Sequence, residues 1–170
     1  KSETVTTDTS AFKGTTTKDE VTGKTTTAWD QPDRHKYTEV TTPVVKGYTA
    51  DEKSVGGDTV TPADPNRSYT VVYTPNGSVV PVDPNGNPIP GTHPVPYETD
   101  PTDPTKVVDG KVPEVPGWTP KNGKPGDPVV PTDPSKDTKV PYVHTKTTGD
   151  TKVEGKQTVT YVYKDKDGKV

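Results

Sequence analysis

The stretch Tyr69-Thr-Val-Val-Tyr-Thr-Pro-Asn-Gly-Ser-Val-Val-Pro-Val-Asp-Pro-Asn-Gly-Asn-Pro-Ile-Pro-Gly91 decides how the rest of the chain is read. Tyr69 to Thr74 are mostly aromatic and β-branched, residue types that fit a pleated, half-buried strand. Pro75-Asn76-Gly77 supplies a turn signal. A second apolar run covers Ser78 to Val82, and Asp83-Pro-Asn-Gly-Asn87 closes the stretch with another turn. The strand reads as the end of one unit, and the run after the turn as the opening of the next.

Composition sets limits on what these units can be. The chain holds 170 residues, enough for one or two small domains. Only 24% of residues are apolar, mean hydropathy is −0.95, and there are 21 prolines and 15 glycines. Taken alone, these figures point to an extended or disordered chain. Two observations oppose that. The net charge of −3 leaves little self-repulsion, and the apolar residues cluster in runs such as Val71-Val72-Tyr73, Val129-Val130 and Val159 to Tyr163. The expectation is an ordered, β-rich chain with a thin core, since it has one Phe, two Trp and no Met. There is no cysteine, which excludes disulfides, thiolate metal sites and thiol catalysis. No run approaches the roughly 20 apolar residues of a membrane-spanning helix. With no signal peptide or sorting signal visible, the sequence reads as a fragment of something longer.

Outward from the opening stretch, the chain repeats itself. Asp58-Thr-Val-Thr-Pro-Ala-Asp-Pro65 is mirrored by Asp127-Pro-Val-Val-Pro-Thr-Asp-Pro134, and Val71-Val-Tyr73 by Val140-Pro-Tyr142, at a constant offset. Val45-Lys-Gly-Tyr-Thr49 is mirrored by Val115-Pro-Gly-Trp-Thr119. An internal repeat indicates tandem architecture. Residues 1–74 and 75–144 are therefore expected to be two β-rich units lying end to end, each finishing on an apolar strand, 69–74 and 139–143. Tyr48 and Trp118, at the same repeat position, are expected to be buried beside those strands.

Upstream, Glu3 to Thr7 alternates like an edge strand. Val21-Thr-Gly-Lys24 marks a turn before Thr25 to Trp29, and Asp30-Gln-Pro-Asp33 is suited to cap a short helical turn. No segment has a helical period. Tyr37 to Thr49 reads as a strand or extended arm, and Ala50 to Gly57 as a loop. Pro81, Pro84, Pro88, Pro90, Pro94 and Pro96 restrict the second unit to short, edge or broken strands, and stiffen the chain toward a rod.

A third strand of the same kind, Thr158-Val-Thr-Tyr-Val-Tyr163, runs into the turn Asp165-Lys-Asp-Gly168. It reads as the opening strand of a further module, so residues 145–170 are a linker plus that strand. Within a single molecule it is expected to fold back as an edge strand on the second unit; pairing with the first unit of a neighbouring molecule, or a loose strand, are the alternatives, and in a longer parent protein it is expected to belong to the next repeat.

These motifs resemble the MUB repeat of mucus-binding (MucBP-type) adhesins of lactobacilli and related Gram-positive bacteria. The junction Tyr69 to Pro90 is similar to the one inside that repeat. Thr99-Asp-Pro-Thr-Asp-Pro-Thr105, Val115 to Thr119 and Val130 to Pro134 resemble its second half, while Lys18 to Thr25 and Lys46 to Thr49 resemble its first. The resemblance covers roughly residues 15–143. It implies a mainly β fold of tandem β-grasp (ubiquitin-like) units, residues 1–74 being a first half whose opening strand is missing. It further implies an extracellular, cell-wall-attached parent protein, monomeric within its array, with mucin glycans, host glycoproteins or immunoglobulins as partners. An internal Lys–Asn isopeptide crosslink, as in some Gram-positive adhesins, would need a buried Lys, Asn and acid together.

The candidate sites are few. His35, His93 and His144 lie far apart in polar or Pro-rich settings and read as surface residues rather than a ligand set. No nucleophile–base arrangement or paired carboxylate is visible, so no catalytic residue, metal ligand or cofactor is expected, and the chain is read as no enzyme. Asp83 to Asn87 and Asp165 to Gly168 read as turns and not calcium loops, because they lack the remaining oxygen ligands. Lysines are interspersed with acids, so no nucleic-acid stripe emerges. Trp29, without a counterpart in the second unit, and Tyr97, in a Pro-rich loop, are the candidates for an exposed aromatic platform that stacks on sugar rings. The function expected is adhesion to mucus components. The alternative is a non-binding stalk that projects another adhesive domain, and mucin or glycan binding separates the two.

Overall fold

A computed structural model describes residues 6–170, and the described chain is β-structure and turns without a helix. The opening element is a hairpin of β1 (Gly14–Lys18) and β2 (Thr25–Trp29), paired antiparallel from Gly14↔Trp29 to Lys18↔Thr25. Asp19 builds its turn: the carboxylate accepts from Val21 N–H and Thr22 N–H, and Gly23 donates its N–H to the Asp19 carbonyl. Gly23 has φ of 70°, which only glycine adopts without strain. Every residue of both strands is exposed, so the ribbon is held by its ladder and by cross-strand pairs such as Thr16–Thr27. Asp30 continues the ladder by donating to Lys13 O, and Gln31 to Asp33 form a bend and irregular backbone, not the expected helical turn. Of the edge strand expected over Glu3 to Thr7, residues 3–5 lie outside the described residues, and Thr6 and Thr7 are irregular backbone.

The rest of the first unit is made of short pairs. β3 (His35–Lys36) pairs with β7 (Thr59–Val60), β4 (Glu39–Thr41) with β6 (Ser54–Gly56), and β5 (Tyr48–Ala50) with β8 (Tyr73–Pro75), all antiparallel. The extended arm expected over 37–49 is thus broken into strands, and the expected loop 50–57 holds β6. The strand expected over Tyr69 to Thr74 is shorter, starting only at Tyr73. Its first four residues have no neighbouring strand among the described residues, and Tyr69 and Val72 are exposed.

The second unit is the better packed. β9 (Ser78–Val82), β10 (Val95–Pro96), β12 (Trp118–Pro120) and β14 (Thr138–His144) form a four-stranded sheet in the order β10-β9-β14-β12. The two central strands run parallel, from Thr138↔Val79 to Pro141↔Val82, and the flanking pairs are antiparallel. β11 (Gly110–Lys111) and β13 (Pro128–Val129) make a separate pair. The core lies in this unit: Val79, Ile89, Tyr97, Val112, Val115, Val129, Val140 and Tyr142 are all buried against one another. Fully burying each such side chain stabilises by roughly 1.5–3 kcal/mol. The first unit buries far less, with Ala50 and Val60 its only fully buried apolar side chains among the described residues.

Despite this asymmetry, the repeat is real at the level of single hydrogen bonds. Tyr73 donates its hydroxyl to Pro43 O, and Tyr142 to Pro113 O. Tyr48 N–H reaches Val45 O, and Trp118 N–H reaches Val115 O. Asn76 N–H donates to Gly47 O, and Thr145 N–H to Gly117 O. β5–β8 and β12–β14 share one register: Tyr48↔Pro75 and Ala50↔Tyr73 match Trp118↔His144 and Pro120↔Tyr142. Residues 58–60 likewise match 127–129, with Tyr37 and Val112 each donating an N–H to the equivalent Asp carbonyl. β4 lies in an insertion of the first unit, residues 38–42, between positions that match Val112 and Pro113.

Three expectations need correction. Tyr48 is 42% exposed and Trp118 only partly buried, because each ring sits at the sheet's end, and Ala50 and Pro120, two residues on, take the buried place on that face. Trp118 still packs, partly buried, against the core cluster beside β14, and its outer side stacks on His144 at 3.9 Å. Thr158 to Tyr163 does not pair with the second unit. It forms no ladder and is exposed throughout, with Tyr163 at 90%. The one free edge of that sheet near the tail, β12, is only three residues long and gives it little to pair with.

Candidate functional site: an aromatic groove on the first unit

Trp29 ends β2, and its indole lies over β1. That approach depends on Gly14, its ladder partner: a Cβ there would stand 2.9 Å from Trp29 Cε3 and 2.7 Å from Ala28 O. The ring remains 44% exposed. Beside it opens a groove of about 390 Å³, walled by Asp8, Thr9, Ser10, Phe12, Trp29, Tyr37, Pro62, Pro65 and Asn66. That volume falls within the range of small-molecule sites.

The polar wall of the groove is fixed by hydrogen bonds. Tyr37 donates its hydroxyl to Pro65 O at 2.8 Å, so the 2.8 Å contact between Ser10 Oγ and that hydroxyl has serine as donor. Tyr37 is held edge-on to His35, with ring centroids 5.0 Å apart. Asp8 Oδ2 accepts the backbone N–H of Thr38 and Oδ1 that of Thr9. The Thr38 bond, above all, holds the Asp8 carboxyl below its ordinary range, so it is ionised at neutral pH. A carboxylate, a serine hydroxyl and an asparagine amide therefore stand around three aromatic rings and two prolines. Such a surface can stack on the apolar face of a sugar ring while accepting and donating at its hydroxyls.

The structure separates the two expected platform residues. Trp29 is exposed and lines the groove. Tyr97 is 2% exposed, packs in the core of the second unit and donates its hydroxyl to Thr138 Oγ1, so neither ring face is available to a ligand. The Pro-rich surroundings of Tyr97 suggested a loop, but the Tyr97 N–H is fixed to Gly77 O, directly after β10. Phe12, Tyr37 and Asp8 were missed by sequence reading. Asp8 and Phe12 come from the stretch before β1 and Tyr37 from the segment after β3, and nothing in their spacing announces that they meet.

Elsewhere the side chains are structural. The Asp83 and Asp165 carboxylates accept backbone N–H groups of their own turns, as expected. Every described lysine is exposed, so the buried Lys–Asn–acid set of an isopeptide bond is not assembled among the described residues. His93 and His144 are exposed, as expected, with the His144 ring stacked on Trp118, whereas His35 is half-buried against Tyr37.

Residues 1–77 match the family model described as Muc B2-like domain. Comparison with curated proteins and with solved structures returns no match.

Proposed function

We propose that this chain, whose residues 1–77 belong to the Muc B2-like domain family of mucus-binding repeats, is a non-enzymatic adhesin module that holds mucin glycans in the groove beside Trp29. The observation that carries this reading is the exposed indole at the mouth of a groove whose polar wall is pre-set by Tyr37, Ser10 and Asp8. Family membership supports glycoprotein partners and an extracellular, surface-displayed parent protein. Attachment to a Gram-positive cell wall, and immunoglobulin as a further partner, belong to the same proposal. So does the β-grasp assignment, supported by the second unit, where first and last strands lie side by side and parallel at the centre of the sheet.

A second reading, a stalk that spaces other adhesive domains, is favoured by the junction between the units. Thr99 Oγ1 donates to Tyr48 O at 2.9 Å, Ala50 N–H reaches Pro104 O, and Lys53 pairs with Asp103 at 3.2 Å. A bonded junction resists bending. The two readings separate on binding of the whole chain to purified mucin and to a glycan array. Groove binding requires that Trp29→Ala abolish retention while Trp118→Phe leaves it intact. Retention that survives Trp29→Ala removes the groove, and no retention at all leaves the stalk.

A further inference from the structure

In the second unit, β9 is the strand that completes the sheet. It lies parallel to β14 and leads into the Asp83 turn, where Asp83 N–H donates to Asn87 O, Gly86 N–H to Asp83 O, and Asn85 and Asn87 N–H to the Asp83 carboxylate. The tail repeats that turn bond for bond. Asp165 N–H donates to Lys169 O, Gly168 N–H to Asp165 O, and Asp167 and Lys169 N–H to the Asp165 carboxylate. Aligning the turns places Thr160–Lys164 where Ser78–Val82 stands. This segment is a β9 without a sheet: its Tyr161 is 84% exposed.

The first unit has the converse defect. Tyr69–Val72 correspond to Thr138–Pro141, the half of β14 that pairs with β9. They run straight into β8, whose register with β5 matches that of β14 with β12. Among the described residues, no strand lies beside them. Asp51 takes both the N–H and the C=O of Val72, so by strand alternation the backbone groups of Tyr69 and Val71 face the vacant side.

Chain order says which unit the tail serves. β8 ends the first unit, and after Asn76 and Gly77 comes β9, which pairs with the unit that follows it. By the same order, the β9-like strand after β14 serves a unit that follows the second.

We propose that Thr160–Lys164 of one copy of this chain inserts as a parallel strand beside Tyr69–Val72 of a second copy. Transfer of the β9–β14 register sets the ladder: Tyr161↔Tyr69, Val162↔Thr70, Tyr163↔Val71 and Lys164↔Val72. Each copy thereby completes the first unit of the next, head to tail, and the wet Val-Tyr face becomes core.

The chain has no cysteine, so single thiols report the contact cleanly. Full-length chains carrying Val162→Cys are mixed with chains carrying Thr70→Cys under mild oxidation. Controls pair Val162→Cys with Thr17→Cys on the exposed hairpin. A mixed disulfide selective for the first pair is expected. In a covalent tandem of two complete chains, amide exchange at Tyr69 and Val71 should slow by about an order of magnitude or more in the second copy, and stay fast in the first. Equal exchange in both copies would overturn the proposal. So would a dilute double variant, Thr70→Cys with Val162→Cys, that closes only within its own chain.

Discussion

Asp103 stands where the two units meet. Its Oδ1 accepts the hydroxyl and the N–H of Thr105, and its Oδ2 accepts from Lys53 of the first unit. Led by the Thr105 bonds, these hold its carboxyl down to about 2 from an ordinary 3.8. A depressed acid contributes stability that is present above its unfolded value and is lost as pH falls through the folded one. Melting temperature should therefore drop between about pH 4 and pH 2. Asp8, Asp19, Asp100 and Asp133, lowered by similar local bonds, act in the same direction. Asp103→Asn should flatten this profile and lower the melting temperature at neutral pH. Thermal melts across that range check both. Asn76 is the second junction residue: Oδ1 accepts from Thr49, and Nδ2 donates to Tyr97 O and Thr99 Oγ1. Truncating it leaves partly buried partners unpaired, so Asn76→Ala should cost roughly 1–3 kcal/mol in denaturant titrations.

At the scale of the element, β9 is positioned by the residue before it. A Cβ on Gly77 would stand 2.1 Å from Lys136 O, a backbone atom that cannot swing away. Gly77 N–H donates to Pro134 O, and its own carbonyl accepts Tyr97 N–H. Gly77→Ala should therefore push β9 off β14 and destabilise the second unit by roughly 1–3 kcal/mol or more. Gly86→Ala, at an open turn with φ of 82°, should strain the turn without touching the core. Denaturant midpoints of the two variants test the contrast. The Asn-Gly signal at 76–77 was legible as a turn, but not as a glycine demanded by backbone contact with a segment some sixty residues on. The same divide runs through the other elements. The repeat offset located β14 and the start of β8, whereas β5 was legible only as the end of an extended arm and β12 was not read as a strand. The parallel pairing of β9 with β14, and the absence of its counterpart beside Tyr69–Val72 among the described residues, depend on which strands become neighbours. Trp29 could be picked out as unpaired in the repeat, whereas Tyr97 could not be recognised as core, because a loop-like composition hides a non-local partner such as Thr138.

At the scale of the molecule, two units of one local design differ in how much they bury. The core cluster belongs wholly to the second, while the first relies on short ladders, a solvated hairpin and its junction with its neighbour. A unit with few buried side chains opens at lower cost than one with a closed sheet. The first should therefore unfold before the second, and the two tryptophans fall one to each. With Trp118→Phe, fluorescence reports Trp29 and the first unit; with Trp29→Phe, it reports Trp118 and the second. The Trp29 signal is expected to change at clearly lower denaturant. The junction should narrow that gap, because Thr99 and Asn76 lend the first unit bonds anchored in the second. Thr99→Val removes the hydroxyl that both units share at similar volume, so it should move the Trp29 transition to still lower denaturant and shift that of Trp118 less. Coincident transitions for both probes, unmoved relative to each other by Thr99→Val, would mean that the chain unfolds as one cooperative body and that the uneven core does not set its stability.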